Sequence, residues 1–308
     1  MKRFTKISAA LLCLSVLTAC NQAEETTTAT ATEGTTEQLT TVASEETVPS
    51  SEESQKVYSS NIDSQLELIA DNFESVRYHY IMEDEFYPAA FIAVTDLNHN
   101  GRLEILLTSC MGSGAFSYTA LFEISEDFSE LTRIEYNRDE EDEESADFTQ
   151  HVSGETNVAV YDCFKKDDVY YYLIEDYASA GWSAKHMGYF AWSFGDKINH
   201  DYIGGCSVNV QQDDTLDLWL YDTSLELFDS YESYEDYMNG YWSEYVKQPA
   251  CEVTWVPFPD GNDVSSLLIE SWNGFNPDSD KTSVVTYDYH EIFDPFYGDD
   301  YEYIIHEE

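Results

Sequence analysis

The stretch FIAVTDLNHNGRLEILLTS, residues 91–109, constrains this chain more than any other. Two apolar runs, AAFIAVT (89–95) and LEILLTS (103–109), flank the polar core DLNHNGRLE. Asn100-Gly101 between such runs reads as a tight antiparallel hairpin turn, because both residues tolerate the positive φ that the turn needs. The runs are apolar on both parities, so their strands are expected to be covered on both faces.

The neighbouring segments extend this pattern. Ile62, Leu66, Ile69, Phe73 and Val76 recur at steps of four and three, which marks one face of a helix capped by Ser60 or Asn61. Beyond the hairpin, CMGSGAF (110–116) reads as a glycine turn. SYTALFEIS and ELTRIEYN then form a second hairpin about EDFS. NVAVYDCF and DVYYYLIEDY surround KKDD, and MGYFAWSF and KINHDYIGG surround a two-residue turn, Gly195-Asp196. DTLDLWLYD reads as a further strand.

Helices return near the end. Residues 230–247 carry Tyr234, Tyr237, Met238, Tyr241, Trp242 and Tyr245 at helical spacing, a stripe suited to packing on a sheet. A short helix over 263–274 starts at Asp263 and stops at Gly274, and YEYIIHE closes the chain as a strand. The expected fold class is α+β: a mostly antiparallel sheet with an N-terminal helix and C-terminal helices packed on it. No repeat of fixed period supports a propeller. No βαβ alternation supports a two-lobed solute-binding fold.

The N-terminus has a different character. Lys2, Arg3 and Lys6 precede an apolar run from Ile7 to Leu17, too short to span a bilayer, and the segment closes on Leu17-Thr18-Ala19-Cys20. LTAC resembles the lipobox of bacterial lipoproteins. The resemblance implies removal of residues 1–19, a lipid on the Cys20 thiol, and a protein held at the cell membrane on its extracytoplasmic side. Residues 20–58 are rich in Thr, Ser and Glu and poor in large apolar groups, so they read as a disordered tether. Residues 59–308 then form the globular domain.

Lys and Arg total 14 and Asp and Glu 61, for a net charge of −47. Loss of the three basic residues of the leader takes this to −50. Such a field repels nucleic acid and attracts cations. Part of it lies in the run RDEEDEESAD (138–147), read as a solvated loop. Of six cysteines, Cys13 leaves with the leader and Cys20 is the lipidation site. Cys110, Cys163, Cys206 and Cys251 remain, either as two disulfides of unassigned pairing or as buried free thiols.

Counted from Asp96, oxygen-bearing side chains stand at positions one (Asp96), three (Asn98) and five (Asn100), glycine at six (Gly101) and Glu104 at nine. A calcium ion takes six to eight oxygens, and alternate residues of a curled loop can supply them. An EF-hand needs an acidic residue at position twelve, where Leu107 stands. The pattern DxNxNGxxE between strands instead resembles the calcium loops of the FG-GAP and VCBS type, over about 20 residues and in a single copy. The resemblance implies Asp96, Asn98, Asn100, the Arg102 carbonyl and Glu104 as ligands. Asn100 departs from the family's usual Asp and His99 from its usual Gly. With only two formal anions, affinity of the order of 10⁻⁴–10⁻³ M is expected.

No HExxH, GxSxG, P-loop or dinucleotide fingerprint occurs. The strongest other cluster is Trp182, Ser183, Lys185 and His186, placed in a loop. The expected function is that of an exported, lipid-anchored cell-surface module, more a binding or structural protein than an enzyme, with a structural Ca²⁺ and an unidentified surface ligand or protein as partner. The alternative is a hydrolase of a cell-wall or extracellular polymer, in which Trp182, Lys185 and His186 would line a cleft.

Overall fold

Strands apolar on both parities need cover on both sides, and the chain supplies it in four layers. The computed structural model describes residues 56–82, 85–88, 90–111, 116–137, 148, 158–179, 181–211, 215–258, 263–283, 285–298 and 301–306. Cys20, the lipobox, residues 20–55 of the tether and the acidic run 138–147 lie outside them.

Helix α1 (Ile62–Val76) is followed by β1 (Tyr78–Met82), β2 (Glu85–Pro88), β3 (Phe91–Thr95), β4 (Glu104–Met111), β5 (Phe116–Ile124) and β6 (Leu131–Ile134). Then come β7 (Val158–Lys166), β8 (Val169–Ser179), β9 (Ala184–Phe194), β10 (Ile198–Val210) and β11 (Thr215–Tyr221). The last part holds α2 (Tyr231–Tyr241), β12 (Val246–Lys247), β13 (Ala250–Thr254), β14 (Val256–Pro257), α3 (Val264–Asn273), β15 (Asn276–Ser279), α4 (Tyr289–Tyr297) and β16 (Glu302–Ile305).

Two sheets organise these elements, beside the separate β1–β2 hairpin. A central sheet runs β14-β3-β4-β5-β6, and a large sheet runs β15-β13-β7-β8-β9-β10-β11-β16, with β12 also on β7. Among the described strand pairings of the two sheets only β11–β16 is parallel. The fold is therefore α+β and mostly antiparallel, with one helix before the strands and three in the C-terminal part among the described residues.

Side-chain alternation assigns the layers. Ile92, Val94, Ile105, Leu107 and Phe122 pack against Leu68, Ile69 and Phe73 of α1 and Leu268 of α3. Ala93, Leu106 and Leu121 point the other way, into a core shared with Tyr161, Tyr172, Trp192 and Phe194 of the large sheet. The opposite face of the large sheet, with Leu173, Ala191, Cys206 and Leu218, packs on Tyr234 and Met238 of α2 and Phe293 of α4. The chain passes from the large to the central sheet at Trp255, whose side chain is fully buried and whose Nε1 donates to Tyr161 Oη at 3.4 Å.

Several local readings are corrected by tertiary pairing. Lys165 and Lys166 extend β7, and the turn is Asp167-Asp168 alone, both at positive φ, as a two-residue hairpin turn requires. The β9–β10 connection has three residues, 195–197, rather than Gly195-Asp196 alone, because Phe194 pairs with Ile198. The helix expected over 230–247 ends at Tyr241; a 3₁₀ turn follows, and Val246–Lys247 is taken by β7 as a strand. Its stripe packs as expected, with Tyr234, Met238 and Trp242 buried. Helix α4 has no clear signal in the sequence because Pro295 interrupts its pattern; Asp288 caps it and burial of Ile292, Phe293 and Tyr297 holds it. Lys56 and Tyr58, expected in the tether, both bond Asp71 of α1.

Glu175 shares the helix-covered face of β8 with Leu173. Burial pushes its carboxyl up to about 7, aided by Asp162 and opposed by a bond from the Thr286 backbone. The folded chain thus keeps a proton that the unfolded chain releases above the ordinary value of 4.5. Stability tied to this group is lost as pH rises from there to about 7. Glu175→Gln is expected to flatten that loss by up to about 1.4 kcal/mol per pH unit, measured as urea midpoints at pH 5 and 7.

Candidate functional site

The β3–β4 hairpin closes at Thr95↔Glu104, so its connection spans residues 96–103. This corrects the expected two-residue turn: Asn100-Gly101 does not make the reversal by itself. The positive φ values fall on Gly101 (82°) and His99 (57°), and Asn100 is not among them. The extra length is curled by the loop's own side chains. Asp96 Oδ1 accepts from Asn100 N at 2.9 Å and Asp96 Oδ2 from Gly101 N at 3.1 Å. Asn98 Oδ1 accepts from Asn100 N at 3.1 Å, and Asn100 Oδ1 from Arg102 N at 2.8 Å. Four of the five expected ligand residues therefore place or receive a backbone bond within one turn of chain.

Glu104 stands at the foot of this loop and is fully buried. Its Oε2 accepts from Leu97 N and from Thr95 Oγ1, each at 2.8 Å. Its Oε1 has no hydrogen-bond partner. Burial pushes the carboxyl up to about 8, against those two bonds and with help from the nearby charges of Asp96 and Glu123. Burial also raises Asp96. Burial and an idle oxygen favour the protonated carboxyl, and a cation joining that oxygen would favour the ionised form.

Glu123 carries no signal in the sequence. It lies on β5 directly opposite Glu104, an arrangement of like charges that destabilises a sheet unless one is neutralised. Its Oε1 accepts from Asn98 Nδ2 and Asn100 Nδ2, both at 2.7 Å, and its Oε2 from Arg102 Nη2 at 2.5 Å. Nothing in the spacing of LFEIS marks this residue; only the β4–β5 register brings it to the loop.

Besides β5, two elements hold the loop. Gln65 of α1, fully buried, donates to Gly101 O at 3.0 Å and accepts from Leu103 N at 2.7 Å. Tyr172 of β8 donates to Leu97 O at 2.6 Å, and His99 stacks on Tyr170 with centroids 3.8 Å apart. The donor set is two carboxylates, two carboxamide oxygens and a backbone carbonyl, all hard oxygen donors of the kind calcium takes. Among the described residues no three His, Cys, Asp or Glu side chains group as metal ligands, so a cation here relies on the carboxamides.

The cluster around Trp182 assembles only in part: Trp182 and Lys185 both lie against the Tyr297 ring, and His186 does not join them. Ala184 begins β9, so Lys185 and His186 sit on a strand rather than in a loop and project to opposite faces. Lys185 Nζ donates to Ser179 Oγ at 3.2 Å and lies 4.3 Å from the Phe296 ring centroid. His186 Nδ1 and Ser207 Oγ are 2.7 Å apart, and burial lowers the imidazole to about 4. Trp182 stays 56 % exposed, with its ring edge on Tyr297. Two open hollows of about 480 and 440 Å³ lie elsewhere, beside Lys166 and Glu244 and beside Ser193 and Asn199. Cys163, Cys206 and Cys251 are buried free thiols.

Gln65→Ala removes both bonds that α1 makes to the loop and leaves Leu103 N–H buried without a partner. A loss of roughly 1–3 kcal/mol is expected from one such orphaned group, read as a lower urea midpoint.

No protein-family model, no curated protein and no solved structure matches this chain.

Proposed function

We propose that the protein is an exported, lipid-anchored module of the cell surface, non-catalytic, whose loop 96–104 binds a calcium ion weakly as a structural staple. The observation that carries the calcium is the fully buried Glu104 with one oxygen unpartnered. Asp96, Asn98, Asn100, the Arg102 carbonyl and Glu104 would hold the ion. The ion would supply positive charge where Asp96, Glu104 and Glu123 crowd together. The residues themselves do the positioning: Leu97 N–H and Thr95 hold Glu104, and Gln65 fixes both backbone groups flanking Arg102. A staple at this point would tighten α1, the central hairpin and β8 together. The placement of His186 on the opposite face of β9 from Lys185 supports a binding or structural role over the hydrolase alternative.

Thermal unfolding with calcium and with chelator tests the staple. Free calcium ten- to a hundredfold above Kd is expected to stabilise the protein by about 1.4–2.7 kcal/mol, visible as a higher midpoint. Asp96→Ala and Glu104→Gln are each expected to abolish the increment. An unchanged midpoint for the parent at about tenfold excess over a millimolar Kd would sink the calcium reading.

The anchor is tested separately. In a bacterial host, the intact chain is expected in the membrane fraction with radiolabelled fatty acid incorporated. Cys20→Ser is expected to lose the label and to leave the membrane. Label retained in that variant would refute lipidation at Cys20.

A further inference from the structure

The loop departs from the calcium-loop pattern it resembles at position five, where Asn100 replaces the usual Asp, and Asn98 stands at position three. Glu123 supplies the physical reason. One oxygen of its carboxylate takes the Nδ2 hydrogens of both asparagines at 2.7 Å, while the other takes Arg102 at 2.5 Å. A carboxamide has two ends, so anchoring its nitrogen on Glu123 dictates where its oxygen goes. Both oxygens turn back into the loop, where Asn98 Oδ1 meets Asn100 N and Asn100 Oδ1 meets Arg102 N. An Asp at either position would set a carboxylate oxygen against Glu123 at hydrogen-bonding distance, with no proton between them.

We propose that Glu123 is the positioning residue of the cation loop: it aims the carboxamide oxygens of Asn98 and Asn100 inward, and its charge is the reason these positions are Asn rather than Asp. This rests on the calcium reading of loop 96–104 and deepens it. Glu123 acts through the two amides, and through Arg102, with whose guanidinium it pairs. The negative charge that other loops of this pattern carry on position five is moved one shell outward, onto the neighbouring strand. The unpartnered, fully buried Oε1 of Glu104, at the foot of the same loop, is a separate observation in favour of a cation there.

The test is a calcium titration of the purified intact protein by calorimetry, with unfolding midpoints in calcium and in chelator. The parent is compared with Glu123→Ala, Asn100→Asp and the double variant Asn100→Asp with Glu123→Gln. Glu123→Ala is expected to weaken calcium binding by roughly ten- to a hundredfold, the usual range for an outer-shell partner of a metal ligand. Asn100→Asp is expected to lower the chelator midpoint through its clash with Glu123. Adding Glu123→Gln, whose amide can donate to the carboxylate introduced at position 100, is expected to restore the midpoint and bring affinity to the parent's or above. A merely structural Glu123 would lower midpoints equally in calcium and chelator, leave Kd unchanged, and overturn the proposal. If Glu123→Ala fails to fold, Asn100→Asp against the double variant decides: no rescue overturns it. A parent that binds no calcium overturns the loop reading and this inference together, whereas a parent that binds alongside unaffected variants overturns this inference alone.

Discussion

A buried carboxyl at the foot of a hairpin loop is the constraint on which this architecture turns. Glu104 sits with Thr95 and Glu123 in one cross-strand row of the central sheet, on the side that faces the large sheet. Its position costs desolvation, and its two hydrogen bonds come from the loop it closes and the strand beside it. The same loop receives Gln65 from α1, Tyr172 from β8 and Glu123 from β5. Three layers therefore meet at one eight-residue connection, and a charge balance at that point is felt by all of them.

The four-layer stack follows from the apolar parity of β3 and β4. A strand with polar residues on alternate positions could leave one face to water, but Ile92, Ala93 and Val94 are consecutive and all fully buried. One face goes to α1 and α3, the other to the aromatic layer around Trp192, Phe194 and Tyr172. The large sheet, wider than the central one, in turn needs α2 and α4 on its far side. Aromatic side chains suit this arrangement because they fill the space between sheets and still place Tyr172 and Tyr161 hydroxyls on backbone carbonyls.

Local order is largely legible in the amino-acid sequence. Helix α1 follows from five apolar positions at helical spacing, with Asn61 as its cap. The hairpins follow from paired β-rich runs and the turns between them. Less legible are elements whose local signals are weak and whose partners are distant. Helix α4 contains Pro295; the closing strand β16 is legible, but its parallel pairing with β11 is not. Lys185 and His186 are neighbours in sequence, but strand geometry sends them to opposite faces.

The sequence alone determined the fold class, the doubly apolar hairpin and the oxygen-bearing pattern from Asp96 to Glu104, because periodicity and residue chemistry are local properties. It did not determine how those oxygens are aimed. That depends on Glu123, on Gln65 and on the burial of Glu104, which exist as neighbours only once strand register and layer packing are in place. Tertiary structure alone brings a second carboxylate opposite Glu104 and turns two asparagine amides toward it, and so makes a turn motif into a candidate cation site.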